Sequence, residues 1–383
     1  MRDTFLPYNQ PEVGEDEARA IGAVLSSRWI TRGPKTQDFE DALARYLGVE
    51  HVVALSSCTA GLHLALLASD IGPGDEVITT PMTFAASVNV IDHVGATPVL
   101  VDIEADTGNL DLNRVESAIT SKTRAILAVH YGGHSVDIKA LRHIKDRYGI
   151  TIVEDAAHAL GSRQNGQRVG QSGNLTAFSF YATKNLTTGE GGALVVPDVA
   201  TADRVRILSL HGLSRNAWNR YQAGGHWAYD LEQPGYKYNM TDIEAVMGLV
   251  QLDKLQAMQE QRTRLAESYL SQLATYPVTL PVVRPGFEHA WHLFSIHLHP
   301  DRVSRTRDEV IQALTERNIG TSVHFIPIHY FTYYQRRYGW KAGDFPHAEA
   351  FFAHQISLPL YPSMSSLDVD DVVQALGESL GIS

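Results

Sequence analysis

The stretch SFYATKNLTTGEGG, from Ser179 to Gly192, places a lysine, Lys184, between two apolar segments. Segments 175–180 and 193–196 are typical of buried strands, and the glycines before residue 193 permit a tight turn. A buried lysine must be paired or lose its proton, and a desolvated lysine is the form that reacts with carbonyl groups. A surface lysine on a glycine-rich hairpin is the alternative, and this stretch by itself favours neither interpretation.

A second stretch, TIVEDAAH from Thr151 to His158, runs from β-branched residues into two acids and a histidine. Asp155 lies 29 residues before Lys184. A carboxylate at a strand end and a loop lysine are the pair that pyridoxal phosphate requires. The lysine binds the cofactor's aldehyde, and the carboxylate pairs with its protonated ring nitrogen. By itself Asp155 is better explained as a cap or turn residue, but beside Lys184 the cofactor interpretation is favoured.

Further motifs follow in one order along nearly the whole chain. They are WITRGP (29–34), SSCTAGLH (56–63), GPGDEVI (72–78), EDAAH (154–158), the lysine stretch and GYKYNMTDI (235–243). Together they resemble the DegT/DnrJ/EryC1/StrS family of nucleotide-sugar aminotransferases, within the fold-type-I pyridoxal phosphate enzymes. The resemblance implies an α/β fold, with a large domain built on a mostly parallel seven-stranded sheet between helices and a smaller C-terminal α/β domain.

The alternation of apolar and amphipathic segments also predicts a mostly parallel sheet covered on both faces. Its predicted strands are 51–55, 76–80, 97–103, 124–130, 151–154, 175–180 and 193–196. The predicted helices of this part are 15–27, 36–47, 59–69, 84–94, 112–119 and 138–148. A loop at 212–239 and a long helix at 240–274 lead to a second domain, whose predicted strands include 293–299 and 321–325.

Composition limits the class of protein. A length of 383 residues predicts two domains, which we place at 13–250 and 251–383, with residues 1–12 packing on the smaller one. A net charge of −11 argues against general binding to nucleic acid or anionic membranes. One cysteine, Cys58, favours a reducing compartment, and neither a signal peptide nor a membrane-spanning run is visible. These features predict a cytoplasmic protein.

The resemblance assigns cofactor roles to individual residues. Thr59 and Ala60 open a helix at a strand end, a position that binds anions, and with Ser179 they would hold the cofactor phosphate. A plain helix cap explains the same residues. Phe84 would lie against the pyridine ring, although an aromatic there can also close the core. His158 would hydrogen-bond the cofactor's phenolic oxygen, with a structural histidine as the alternative.

Other residues are assigned to the substrate and to a second subunit. The GYKYN loop reaches the neighbouring subunit's cofactor phosphate in the family, which implies a homodimer with shared active sites and leaves open whether Lys237 or Asn239 makes the contact. Thr31, Tyr181 and His324 are assigned to the sugar nucleotide, each with a packing or capping alternative. The cations Arg32, Arg215, Arg220 and Lys237 suit a diphosphate, or are solvated loop charges.

The implied reaction is an amino transfer in which Lys184 is the catalytic residue. L-glutamate donates the amino group, and a keto sugar held by its nucleotide diphosphate receives it. GYKYN, EDAAH and AWHLF (290–294) most resemble the enzymes that make UDP-4-amino-4-deoxy-L-arabinose, so UDP-4-keto-pentose is the first candidate. UDP-, GDP- and dTDP-4-keto-6-deoxyhexoses are the alternatives.

Other classes of protein are less well supported. A sugar 3-dehydratase is disfavoured because that branch replaces the lysine with histidine. A cofactor-sensing regulator would need a DNA-binding domain, and the first predicted helix begins near Glu15. No metal is predicted, because the histidines at 289–299 fit a strand with period two better than a ligand cluster.

Overall fold

The computed structural model describes residues 2–213 and 230–382. The helices are α1 Glu15–Ser27, α2 Pro34–Leu47, α3 Cys58–Ala68, α4 Ala86–His93, α5 Leu112–Ala118, α6 Ile138–Tyr148, α7 Val199–Ser209, α8 Asp242–Gln272, α9 Arg307–Thr315, α10 Thr332–Tyr338, α11 Pro346–His354 and α12 Ser366–Leu380. The strands are β1 Val52–Leu55, β2 Glu76–Thr79, β3 Thr97–Leu100, β4 Thr123–Val129, β5 Thr151–Asp155, β6 Arg163–Gln164, β7 Gln167–Arg168, β8 Leu175–Ser179, β9 Gly192–Val195, β10 Val278–Thr279, β11 Phe287–Glu288, β12 Phe294–Leu298 and β13 Gln355–Leu358.

A seven-stranded sheet forms the centre of the larger core, in the order β1-β9-β8-β5-β4-β2-β3. All of its strands run parallel except β9, which is antiparallel to both β1 and β8. Side chains alternate between the two faces: Val53 and Leu55 pack with α3 and α7, whereas Val52 and Ala54 pack with α2 and α8. The predicted mostly parallel, seven-stranded sheet is therefore confirmed.

One glycine brings β9 close to the start of α3. A Cβ atom at Gly192 would lie 2.3 Å from the carbonyl carbon of Ser57 and 2.4 Å from the backbone nitrogen of Cys58. Only a residue without a side chain fits at this distance. The last glycine of the lysine stretch thus allows the beginning of α3 to lie directly beside the lysine hairpin.

A second core surrounds the three-stranded sheet β10-β12-β13, with α9 and α12 against it. Helix α8 joins the two cores, since Leu255 is buried in the first and Leu265 in the second. Leu6 also packs into the second core, and its N–H donates to the Asn318 carbonyl at 2.8 Å. The domain boundary at residue 250 stays a prediction.

The strand predicted at 321–325 is wrong. Only Ser322 pairs with β13, exchanging backbone hydrogen bonds with Ser357 at 3.1 and 2.8 Å. The next N–H toward the sheet, that of His324, donates instead to the side-chain oxygen of Gln355 at 2.8 Å. Pairing therefore stops after one bridge, and the irregular segment places His324 at the first sheet's edge.

Two other predictions concern the loop at 212–239 and membrane-spanning segments. Residues 214–229 of the predicted loop 212–239, with Arg215 and Arg220, lie outside the described residues. Among the helices that are described, none is long and apolar enough to cross a membrane.

Candidate active site

A cavity of about 530 Å³ lies at the carboxyl ends of β4, β5 and β8. This is the edge where parallel sheets bind ligands. The cavity brings together residues that are far apart in the sequence and that the sequence assigned to cofactor or substrate: Thr59, Phe84, Asp155, His158, Ser179, Tyr181, Lys184 and His324. Tyr8, from the N-terminal segment, and His292 complete part of its wall.

Lys184 lies in the irregular segment between β8 and β9. The Lys184 N–H donates to the Tyr181 carbonyl at 2.9 Å, and the Thr188 N–H donates to the Phe180 carbonyl at 2.9 Å, so the segment is folded back on itself. Burial lowers the pKa of Lys184 from 10.5 to about 8, against the opposing effects of Asp155 and Cys58. More of this amine is unprotonated near neutral pH than in an exposed lysine, which favours attack on a carbonyl carbon.

Asp155 ends β5 and is buried at the inner wall of the cavity. Its carboxylate accepts hydrogen bonds from the Ser87 hydroxyl at 2.7 Å and from the Ala157 N–H at 3.1 Å. Among the described residues, no basic side chain lies within ion-pairing distance of it. A buried carboxylate with neutral donors and no paired cation suits the protonated ring nitrogen of pyridoxal phosphate.

The beginning of α3 provides a site for an anion. Ser57 is the N-cap, and its hydroxyl oxygen accepts the Ala60 N–H at 3.0 Å. Other N–H groups of a first helical turn have no partner within the helix, and here they lie beside Thr59 and Ser179 on the cavity wall. Ala60 does not line the cavity, and its N–H is used in the cap. Its assignment to the phosphate stays a prediction.

His158 is buried and neutral. The Gly132 N–H donates to its Nδ1 atom at 3.3 Å, so the ring proton of the neutral histidine is on Nε2. Burial, and then the nearby Lys184, hold the pKa of His158 well below its ordinary value. The Nε2–H group is therefore a permanent donor, as a bond to a phenolic oxygen requires.

Phe84 is 64% exposed at the mouth of the cavity, although it is a large apolar side chain. Its ring centroid lies 6.0 Å from that of Phe325. An exposed aromatic face beside an empty volume is suited to stacking on a flat ring.

Three functional candidates were missed by sequence reasoning. The His292 ring centroid lies 4.3 Å from that of His158, and its Nδ1 is 3.1 Å from the side-chain oxygen of Asn185, the residue after the lysine. The Tyr8 ring centroid lies 5.4 Å from that of His324. Ser87 contacts Asp155. His292 lies in the AWHLF motif, so the sequence contained a signal for it. Nothing in the sequence distinguishes Tyr8 and Ser87 from residues that only pack.

Other predicted residues lie outside this cavity. Thr31 is exposed, and its carbonyl accepts the Asp242 N–H at 3.2 Å. The Lys237 amine donates to the Asn239 side-chain oxygen at 2.5 Å. The guanidinium of Arg32 lies 3.6 Å from the buried carboxylate of Glu40. The expected cluster of cations is therefore not assembled around the cavity by the described part of this chain.

The histidines do not form a metal centre in the described ranges, where no group of three or more histidine, cysteine or acidic side chains has the geometry to hold an ion.

A sheet of this topology, with a lysine and a buried carboxylate lining one cavity at its carboxyl edge, is typical of fold-type-I pyridoxal phosphate-dependent aminotransferases. The chain belongs to the DegT/DnrJ/EryC1/StrS aminotransferase family, whose model matches residues 11–377. This confirms the resemblance drawn from the sequence motifs, and with it the class of enzyme and the cofactor.

The relatives are similar over nearly their whole length. The spore coat polysaccharide biosynthesis protein SpsC of Bacillus subtilis (strain 168) is 48% identical over 377 residues, covering 98% of this chain and 97% of SpsC. Spr1654 of Streptococcus pneumoniae, assigned as a sugar aminotransferase and solved in PMP and PLP forms, is 36% identical in its PMP form, with a TM-score of 0.92 and coverage of 98% and 99%. DesV of S. venezuelae, in complex with a ketimine intermediate, is 38% identical, with a TM-score of 0.87 and coverage of 94% and 93%.

Proposed function

We propose that this sugar aminotransferase moves an amino group from L-glutamate to the keto carbon of a nucleotide-linked 4-keto sugar, with UDP-4-keto-pentose as the first substrate to test. The observation that carries the proposal is the presence, in one cavity, of a lysine whose pKa is lowered to about 8 and the buried carboxylate of Asp155. The kinship with SpsC, a polysaccharide biosynthesis protein, supports a sugar as the acceptor.

The residues present fit pyridoxal phosphate. Thr59, Ser179 and the first turn of α3 would hold its phosphate, Asp155 its ring nitrogen, His158 its phenolic oxygen and Phe84 its ring face. When bound, the cofactor supplies an electrophilic carbon that carries the amino group and a ring that accepts electrons.

The chain's own residues supply binding and proton transfer. The unprotonated Nζ of Lys184 is the base that we assign to removing the proton from the α-carbon of the amino donor. The same Nζ then returns a proton when the sugar's keto carbon becomes an amine carbon. The irregular segment around Lys184 keeps the amine at the cavity wall between these two steps.

We propose that the active enzyme is a homodimer in which Lys237 and Asn239 serve the partner subunit's cavity. Their position outside the cavity of their own chain supports this arrangement. Mixing a Lys184→Ala protein with a Lys237→Ala/Asn239→Ala protein tests it, since heterodimers would regain one intact site. If activity does not return after subunit exchange has been demonstrated, sharing is wrong.

The substrate assignment is tested with purified enzyme, L-glutamate and UDP-4-keto-pentose, and the 4-amino product is measured by mass spectrometry. Free keto sugar should react far more slowly, because the nucleotide contributes binding energy remote from the reacting carbon. Equal rates with and without the nucleotide would reject a nucleotide sugar. Activity only with a UDP-, GDP- or dTDP-4-keto-6-deoxyhexose would reject the pentose and retain the aminotransferase. The cytoplasmic location stays a prediction.

A further inference from the structure

Ser87 hydrogen-bonds Asp155, and none of the roles assigned to the cofactor-binding residues explains this contact. Ser87 lies in α4 with no exposed surface, and its hydroxyl is 2.7 Å from the Oδ2 atom of Asp155. Ser87 follows Phe84 by one turn, and its N–H donates to the Phe84 carbonyl at 3.2 Å. The same turn therefore carries the aromatic side chain at the cavity mouth and a hydroxyl behind the carboxylate.

The hydrogen bonds of Thr83 and Ser87 all point toward Asp155. An ionised carboxylate only accepts, so the Ser87 hydroxyl must donate to Asp155. The Thr83 hydroxyl, 2.7 Å from that of Ser87, must then donate to Ser87. Thr83 and Ser87 thus form an ordered chain that ends on the carboxylate, and each bond in such a chain polarises the next.

The second carboxylate oxygen is also held. Oδ1 of Asp155 accepts the Ala157 N–H at 3.1 Å and lies 3.8 Å from the sulfur of Cys58. Burial raises the pKa of Cys58 well above its ordinary value, so the sulfur keeps its single proton. Two acceptors lie near this weak donor, the Ala177 carbonyl at 3.6 Å and Asp155. The donors on both oxygens fix the plane of the carboxyl group.

We propose that Ser87 is a positioning residue for the amino transfer: through its hydrogen bond it holds the Asp155 carboxylate oriented toward the cofactor's ring nitrogen. The proposal rests on the function proposed for Asp155. The competing explanation is that Ser87 only satisfies a buried polar group, in which case its loss lowers stability and leaves the cofactor's protonation unchanged.

The test compares Ser87→Ala, Ser87→Cys and Ser87→Thr with wild type. Thr79→Val is the matched control, because Thr79 is equally buried and donates its hydroxyl to the Leu127 carbonyl at 2.8 Å, away from Asp155. For each purified protein, cofactor affinity and the pH dependence of the bound cofactor's visible absorption are measured, together with kcat and KM for L-glutamate. Thermal unfolding without cofactor reports any structural damage.

We expect Ser87→Ala to bind pyridoxal phosphate about tenfold more weakly, as for one lost hydrogen bond to a charged group, and to lose kcat with little change in KM. Its visible absorption should titrate at a higher pH than that of wild type. The nitrogen that links the cofactor to Lys184 holds its proton more tightly when the ring nitrogen is less protonated and withdraws fewer electrons. Ser87→Thr, which keeps the hydroxyl, should restore wild-type behaviour. Ser87→Cys carries a weaker donor of similar volume, and its cofactor affinity and kcat should lie between those of Ser87→Ala and wild type. If Ser87→Ala does not fold, Ser87→Cys takes its place in the comparison.

Two results would overturn the role of Ser87 while leaving the aminotransferase intact: a wild-type titration and kcat in the folded Ser87 variants, or the same changes in Thr79→Val. A wild-type protein that binds no pyridoxal phosphate and does not react with L-glutamate would instead overturn the proposed function, and this role with it.

Discussion

Replacement of Lys184 by methionine should stabilise the cofactor-free protein while abolishing its activity. The pKa of Lys184 is about 8 in the folded chain against an ordinary value of 10.5. Each pKa unit corresponds to about 1.4 kcal/mol, so holding the charged amine in the folded state costs about 3 kcal/mol at pH 7. The side chain is partly exposed, and solvent reduces this figure, which makes it an upper bound.

The sign of the pH dependence follows from linkage. Between pH 8 and 10.5 the unfolded wild-type chain binds more protons than the folded one, so its stability rises with pH. Methionine has no such dependence. The advantage of Lys184→Met over wild type should therefore fall by about half, from at most about 3 kcal/mol at pH 7 to at most about 1.5 kcal/mol at pH 9.5.

Urea unfolding of the two cofactor-free proteins at pH 7, 8.5 and 9.5 measures this difference, and other titrating groups cancel in the comparison. Lys341→Met, a substitution at an exposed lysine, is the control for the loss of a lysine charge. A variant that is no more stable than wild type at pH 7, or a difference that stays constant up to pH 9.5, would show that Lys184 is not desolvated in the folded chain.

Three other predictions test the site. Borohydride reduction of the holoenzyme followed by peptide mass mapping should place the pyridoxyl group on Lys184, and a label on any other lysine would defeat the assignment. Asp155→Asn should bind the cofactor more weakly and lose most of its turnover, because a neutral amide does not stabilise the pyridinium; near-normal kcat would show that Asp155 has another role. Gly192→Ala should lose about 3 kcal/mol of stability in urea unfolding, because its Cβ would lie 2.3 Å from the backbone of Ser57; an unchanged midpoint would contradict that close approach.

Much of the fold could be predicted because local signals agree with it. Helices α1 and α6 have the predicted bounds, since their apolar periodicity ends at clear stop signals such as Gly149 in the left-handed conformation. The sheet strands differ from prediction by a few residues at their ends. The segment 321–325 looks like a strand by composition, but whether it pairs depends on Gln355, a side chain thirty residues later that takes the His324 N–H.

Site residues could be predicted where a side chain is chemically unusual for its place in the sequence. They could not be predicted where an ordinary residue contacts a functional residue that is distant in the sequence. Lys184 and Asp155 are conspicuous because charged groups beside apolar strands require a reason. Ser87 and Tyr8 are ordinary in their own segments, and their importance comes from Asp155 and His324, which are distant in the sequence. Thr31, Lys237 and Asn239 lie outside the cavity of their own chain, and their assignment to substrate and cofactor stays a prediction.

The reversed strand β9 has a consequence for synthesis on the ribosome. Within the described sheet β1 pairs with β9, where Leu55 lies opposite Gly192, and Leu55 also bridges Asn239. The backbone partners of Leu55 therefore lie 137 and 184 residues later in the chain. Until then a nascent chain exposes β1 as an unpaired edge, which is a hazard for aggregation. We expect ribosome-bound chains that expose residues up to 170 to remain open to protease at β1, and chains that expose residues up to 260 to become protected.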